Sequence, residues 1–211
     1  MEIHFSPAVR KIITGACGLV ASIIVVLGAR STLRYDASAG TPATPPAEWP
    51  SASSIVRPMT FTLVLLAHPD CPCTRASLTE LERIMARIPG NIAAFVLFTK
   101  PEATAADTQT SELWRKACAI PGVSVRFDDG AKDTRLFGGH VSGETILFDP
   151  DGHLAFTGGI TETRGHEGDN PGAEGVIRRV RGETQGLIRT PVFGCSLENP
   201  DLLDSSRWWK R

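Results

Sequence analysis

The chain has 211 residues, 42% hydrophobic and 21% charged, a length and composition that fit one globular domain with extra segments at its ends. Its 22 basic and 23 acidic side chains leave a net charge of -1, and no basic stripe is visible, so nucleic acid is not an expected partner. Five cysteines, at 17, 71, 73, 118 and 195, are too few and too unevenly placed for a disulfide-stapled miniprotein.

Residues 1–11 read as a short tail, and residues 12–29 as an uncharged run that follows Arg10 and Lys11. Its 18 residues are at the lower limit for a bilayer span and above the usual core of a signal peptide, so it is either an anchor or an uncleaved signal. Cys17 inside it reads as a small membrane-buried residue. Basic residues stand on both sides of the run, which leaves orientation open by charge alone. An anchor of the signal type gives a single-pass membrane protein with a periplasmic or otherwise extracytoplasmic domain, where thiol chemistry has a use. Residues 30–55, rich in Pro, Ala and Ser, read as an extended tether. The folded domain is expected over 56–205, and residues 206–211 form a tail in which Trp208 and Trp209 stand between Arg207 and Lys210.

Within the domain, the apolar run at 61–67 predicts a buried strand. After it, Leu78, Leu81, Ile84, Met85 and Ile88 recur at helical spacing until Pro89-Gly90 ends the pattern. A second strand is expected at 92–98, then a polar loop and a helix near 110–119 that closes at Pro121-Gly122. A strand at 123–128 and a short polar helix at 131–137 follow. Two further strands, at 144–149 and 154–158, flank the turn signal Pro150-Asp151-Gly152. A loop at 158–172 carrying Arg164, His166, Glu167 and Asp169 leads to a last helix near 173–183, capped through Asp169 or Asn170. Alternating strands and helices imply parallel pairing and the closing pair implies an antiparallel hairpin, so the fold class is α/β with a central mixed sheet flanked by helices.

This order puts the stretch "HPDCPC" at the carboxyl end of the first strand, where open α/β sheets tend to hold their sites. Pro72 suits the first helical position, which makes Cys71 the expected N-cap and Cys73 the second residue inside. Free amides and the dipole of the helix then favour a thiolate at Cys71. His68 and Arg75 are candidate supporting groups, one titratable and one permanently charged, whereas Asp70 opposes them. A Cys71–Cys73 disulfide would close a tight ring and be easily reduced; Cys195, in "TPVFGC", is the alternative resolving thiol. Two other chemistries remain open. Cys71 and Cys73 with His68 or His140 form a soft ligand set suited to Cu(I), and Cys71 with Cys195 could reduce peroxide, although the Pro-x-x-x-Thr-x-x-Cys arrangement of peroxiredoxins is absent. Cys118, on the helix near 110–119, reads as buried.

The apolar run, the tether, "HPDCPCTRASLTEL", "GETILFDPDGHLAFTGGIT", "RGHEGDN" and "TPVFGC" together resemble the RedB-like branch of thioredoxin-fold proteins. The resemblance implies a membrane-attached redox protein of the thioredoxin superfamily; of the chemistries open to these residues, the first expectation is a thiol-disulfide oxidoreductase with no cofactor and a protein thiol or disulfide as partner. By position it implies that Cys71 is the nucleophile and Cys73 the second cysteine, with one intervening residue where thioredoxins have two. Thioredoxins also carry a cis-proline before the strand that here reads "TILFD", whereas this chain has Ser142, Gly143 and Glu144.

Overall fold

The protein is described by a computed structural model that covers residues 6–99, 108–183 and 185–197. It divides into two compact units, one ending at Ser38 and one beginning at Ala39. The first holds α1, Pro7–Asp36. Its Ile13–Asp36 portion, 24 residues, is long and apolar enough to cross a membrane. At about 1.5 Å per residue that is roughly 36 Å, against a hydrocarbon core of about 30 Å. The helix outruns the apolar stretch at both ends because nothing from Arg30 to Asp36 breaks it; Thr32 sits within it, bonding back to the Ala29 carbonyl at 2.9 Å.

The second unit is a mixed sheet with helices. Its elements are β1 (Phe61–Ala67), α2 (Pro72–Arg87), β2 (Ile92–Phe98), α3 (Glu112–Cys118), β3 (Val123–Phe127), α4 (Lys132–Leu136), β4 (Glu144–Phe148), β5 (Leu154–Gly159) and α5 (Pro171–Val180). Among the described residues the strands form one sheet in the order β3-β2-β1-β4-β5. β1 pairs parallel with β2, and β2 with β3, while β4 runs antiparallel to both β1 and β5. The tight turn between β4 and β5 closes where Gly152 N–H donates to the Asp149 carbonyl at 3.0 Å.

β1 lies at the centre, buried on both faces, as a near-continuous apolar strand requires. Leu63, Leu65 and Ala67 face a core completed by Leu78, Leu81 and Ile84 of α2 and by Val176 and Ile177 of α5. Val64 and Leu66 face a second core with Phe95, Leu97, Ile146, Phe148 and Phe137.

That second core corrects the expected domain boundary. Residues 39–55 are not a free tether: Ile55 is buried, and Trp49 packs edge-on against both Phe137 and Phe148 with centroids 5.1 Å away. The backbone of the same stretch pairs with the domain. Thr44 N–H donates to the Gly138 carbonyl at 3.1 Å, Trp49 N–H to the Gly152 carbonyl at 2.8 Å, and the Asp133 carboxylate accepts from Ser54 N–H at 2.9 Å. Without this segment the part of the second face under Trp49 and Ile55 would be open, so the domain begins near Ala39 rather than at 56.

Candidate active site

The strand β1 ends at Ala67, and the four residues before α2 form a turn in which Cys71 N–H donates to the His68 carbonyl at 3.2 Å. Cys71 is the N-cap of α2, extended at φ -91 and ψ 123, with Pro72 in the first turn. No side chain caps the helix, so no side-chain oxygen competes with the Cys71 sulfur for the amides at its N-terminus.

Two buried hydroxyls fix this turn. The Ser142 and Thr74 hydroxyls are 2.6 Å apart, Thr74 donates to the His68 carbonyl at 2.9 Å, and His68 N–H reaches Ser142 Oγ at 3.0 Å. With Thr74 donating to His68, Ser142 supplies the proton between the two hydroxyls, and each donor has a partner. The network ties the first turn of α2 to the segment before β4. Gly143, at φ +91, then donates to the Leu66 carbonyl at 2.7 Å. The resemblance puts Ser142 where thioredoxins carry a cis-proline, but its hydroxyl contact with Thr74 was not legible, since nothing in a sequence links positions 68 residues apart.

The third piece arrives from the end of the described chain. Residues 190–197 run beside β5 and the 138–143 loop: Gly159 N–H donates to the Pro191 carbonyl at 3.1 Å, Ser142 N–H to the Cys195 carbonyl at 2.8 Å, and Leu197 N–H to the His140 carbonyl at 2.9 Å. Gly194 is required there, because a Cβ on it would lie 1.7 Å from the Ser142 carbonyl oxygen. Arg164, from the long loop after β5, donates to the Gly194 carbonyl at 2.6 Å. The result places Cys195 Sγ 2.9 Å from Cys71 Sγ.

The thiols are electrostatically unequal. Cys71 is pulled from the ordinary value near 9.0 down to about 4, first by the Cys73 thiol donating to it, against the cost of burial, and then by the Cys195 thiol. The amides of Thr74 and Cys195 contribute further. Cys73 is raised, first because its proton is held by Cys71 and then by burial. Cys195 is pushed up to about 11 by burial and by its bond to Cys71, with Arg164 opposing. One thiolate between two protonated thiols is the expected state at neutral pH.

The remaining candidates are placed as follows. His68 spends its ring Nδ1 on the Asp70 amide at 3.2 Å, and Arg75 makes a two-point pair with Glu112 of α3 at 2.6 and 3.0 Å, so neither is among the groups that shift Cys71. His140 lies beside the Cys195 segment through its backbone. Among the described residues, the ligand atoms of Cys71, Cys73 and a histidine do not come within 4.8 Å of one another as a set; Asp149, Asp151 and His153, at an exposed turn, do. The loop at 158–172 docks on α2, where the buried Glu80 accepts from Gly168 N–H at 2.7 Å, and it starts α5 through Asn170, which accepts from Ala173 N–H at 2.8 Å. Cys118 is exposed, contrary to expectation: Leu113 and Ala117 take the inward face of the short α3. The polar loop after β2, Trp208 and Trp209 lie outside the described residues.

Comparison with known proteins gives a fold. No family model matches the sequence, and no curated protein matches it. Among solved structures, an uncharacterized conserved protein from Geobacillus kaustophilus aligns at TM-score 0.54 and 17% identity, over 77% of this chain and 93% of that one. A hypothetical protein from Sinorhizobium meliloti 1021 aligns at TM-score 0.54 and 17% identity, over 76% of this chain and 93% of that one. An exposed lipoprotein thioredoxin from Streptococcus pneumoniae aligns at TM-score 0.44 and 15% identity, over 58% of this chain and 84% of that one. The fold is thioredoxin-like. In that frame the Cys71 turn stands at the carboxyl end of the central strand and Ser142-Gly143 beside it, with the chain's own Cys195 segment along the same edge.

Proposed function

We propose that the chain is a membrane-anchored thiol-disulfide oxidoreductase of the RedB-like kind its sequence resembles, with its domain outside the cytoplasm, Cys71 as nucleophile and Cys195 as resolving thiol. The observation that carries this reading is the Cys71–Cys195 sulfur pair at 2.9 Å, at the N-terminus of α2. A disulfide has a sulfur separation of about 2.05 Å, so closing the pair needs a sulfur movement of only about 0.9 Å. The shifts favour the same roles, a thiolate at Cys71 and a thiol at Cys195.

In the reduced protein, the Cys71 thiolate attacks one sulfur of a partner disulfide, forms a mixed disulfide and expels the other sulfur as a thiolate. Cys195 passes its proton to that leaving thiolate and attacks Cys71 Sγ. The Cys71–Cys195 bond forms, the partner's second sulfur leaves as a thiolate that takes a proton from water, and two electrons have moved to the partner. A partner dithiol drives the same steps backwards. Cys73 keeps its proton and donates it as a hydrogen bond to the Cys71 thiolate.

The test uses reduced protein with insulin and oxidised protein with a dithiol peptide. Cys71→Ser brings both reactions to background, and Cys195→Ser lets the mixed disulfide at Cys71 accumulate. Turnover by Cys71→Ser refutes the reading; accumulation with Cys73→Ser instead of Cys195→Ser moves the resolving role to Cys73.

A further inference from the structure

Cys71 is only 1% exposed, although its proposed chemistry needs contact with a second molecule. A cleft of about 300 Å³ between α2 and α3 borders it, walled by Pro69, Arg75 and Glu112, yet leaves the residue covered. The other side is covered by the chain itself. The contacts that hold residues 194–197 there include Arg164 to the Gly194 carbonyl at 2.6 Å, Ser142 N–H to the Cys195 carbonyl at 2.8 Å, and Leu197 N–H to the His140 carbonyl at 2.9 Å.

The segment upstream is held separately. Thr190 N–H donates to the Thr157 carbonyl at 3.2 Å and its hydroxyl to the Gly159 carbonyl at 2.7 Å; Gly40 N–H and Gly159 N–H bond the carbonyls of Val192 and Pro191. An arm anchored through 188–192 and pinned over the sulfur by polar contacts and the buried Leu197 has the form of a strap.

We propose that residues 194–197 are a redox-locked cover over Cys71, held by Arg164, which rests closed in the reduced protein but is then free to swing away so that a partner can reach the nucleophile. The inference rests on the reading of Cys71 as nucleophile and adds a regulation to it. Oxidation to the Cys71–Cys195 disulfide fixes the cover covalently, with the two thiols giving up two electrons to the partner disulfide as above. Reduction leaves the arm held by hydrogen bonds and the packing of Leu197. Arg164 is a positioning residue: it touches the carbonyl before Cys195, not the reacting sulfurs.

The experiment measures the rate at which iodoacetamide alkylates Cys71 in the reduced full-length protein in detergent at neutral pH, read by peptide mass spectrometry. Arg164→Gln removes one charge-assisted hydrogen bond from the closed arm and raises the Cys71 rate about tenfold. Gly194→Ala, whose Cβ would meet the Ser142 carbonyl at 1.7 Å, raises it further. Should Gly194→Ala lose its fold by circular dichroism, Arg164→Gln alone decides. Cys71 rates within twofold of wild type in the folded variants overturn the proposal, as does acceleration by opening the α2–α3 cleft with Glu112→Gln instead. Disulfide exchange is scored in parallel. Faster alkylation without exchange keeps the cover and refutes the oxidoreductase, and exchange with unchanged alkylation does the reverse.

Discussion

Removing Cys73 should return Cys71 towards an ordinary thiol, because the Cys73 thiol is the largest influence holding Cys71 at about 4. The assay is iodoacetamide alkylation of Cys71 from about pH 3 to about pH 10, which brackets ordinary thiol titration. In the wild-type protein the rate is flat above about pH 6 and falls with a midpoint near 4. The sign follows from the depressed value: the thiolate is present above 4 and lost as pH falls through it. In Cys73→Ala the midpoint moves upwards. At pH 5 a thiol of pKa 9 is about 0.01% ionised and one of pKa 4 about 90%, a gain of roughly 10⁴. Each unit of lowered pKa also costs about 0.4–0.5 log units of intrinsic nucleophilicity, or roughly 10² to 10^2.5 over five units. The net advantage is therefore about 30- to 100-fold at pH 5 and about nil at pH 7. At neutral pH the low pKa serves Cys71 as a leaving group more than as an attacker, which eases its expulsion from the mixed disulfide when a partner dithiol closes to its own disulfide and departs. A wild-type midpoint near 9, or one unmoved by Cys73→Ala, refutes this reasoning.

Oxidation of Cys71 and Cys195, 124 positions apart, should stabilise the domain by about 2–4 kcal/mol near pH 4, measured as the difference in urea unfolding between oxidised and reduced protein. The gap should narrow as pH rises from 4 towards 9, because the reduced folded state alone gains from the Cys71 thiolate over that range; a gap that widens contradicts the assignment. Trp49→Ala should cost about 2–3 kcal/mol, since a half-buried tryptophan loses its packing on two rings. The same change in a free tether would cost nothing, so an unaltered midpoint would return residues 39–55 to the linker.

The parts of this molecule legible in the sequence are those fixed by neighbours. The run at 61–67 could only be a strand buried on both faces, Leu78 to Met85 could only line one side of a helix, and Pro72 after Cys71 marked a helix start whose N-cap is the cysteine itself. For α5, Asn170 was one of two expected caps and is the one used, although the helix starts at Pro171 rather than near 173. Composition misled where burial depends on one or two residues in a polar stretch. Pro, Ala and Ser across 39–55 suggested a tether, yet Trp49 and Ile55 suffice to seat it, and its backbone groups find partners on the domain. Cys118 failed for the reverse reason: a helix of 7 residues has room for two inward positions, and Leu113 and Ala117 take them.

The choice between Cys73 and Cys195 shows where sequence spacing stops being informative. Read locally, Cys73 is the nearer thiol. Folding changes what nearness means, because Cys73 is already inside α2 while Cys71 is still extended, so a bond between them strains both the helix start and the ring it closes. Cys195 comes from a separate segment whose approach is set by Gly194 against the Ser142 carbonyl and by Arg164. It can close on Cys71 without disturbing α2. Cys73 is thereby left free to do what only an adjacent protonated thiol can do, which is to hold its neighbour as the anion.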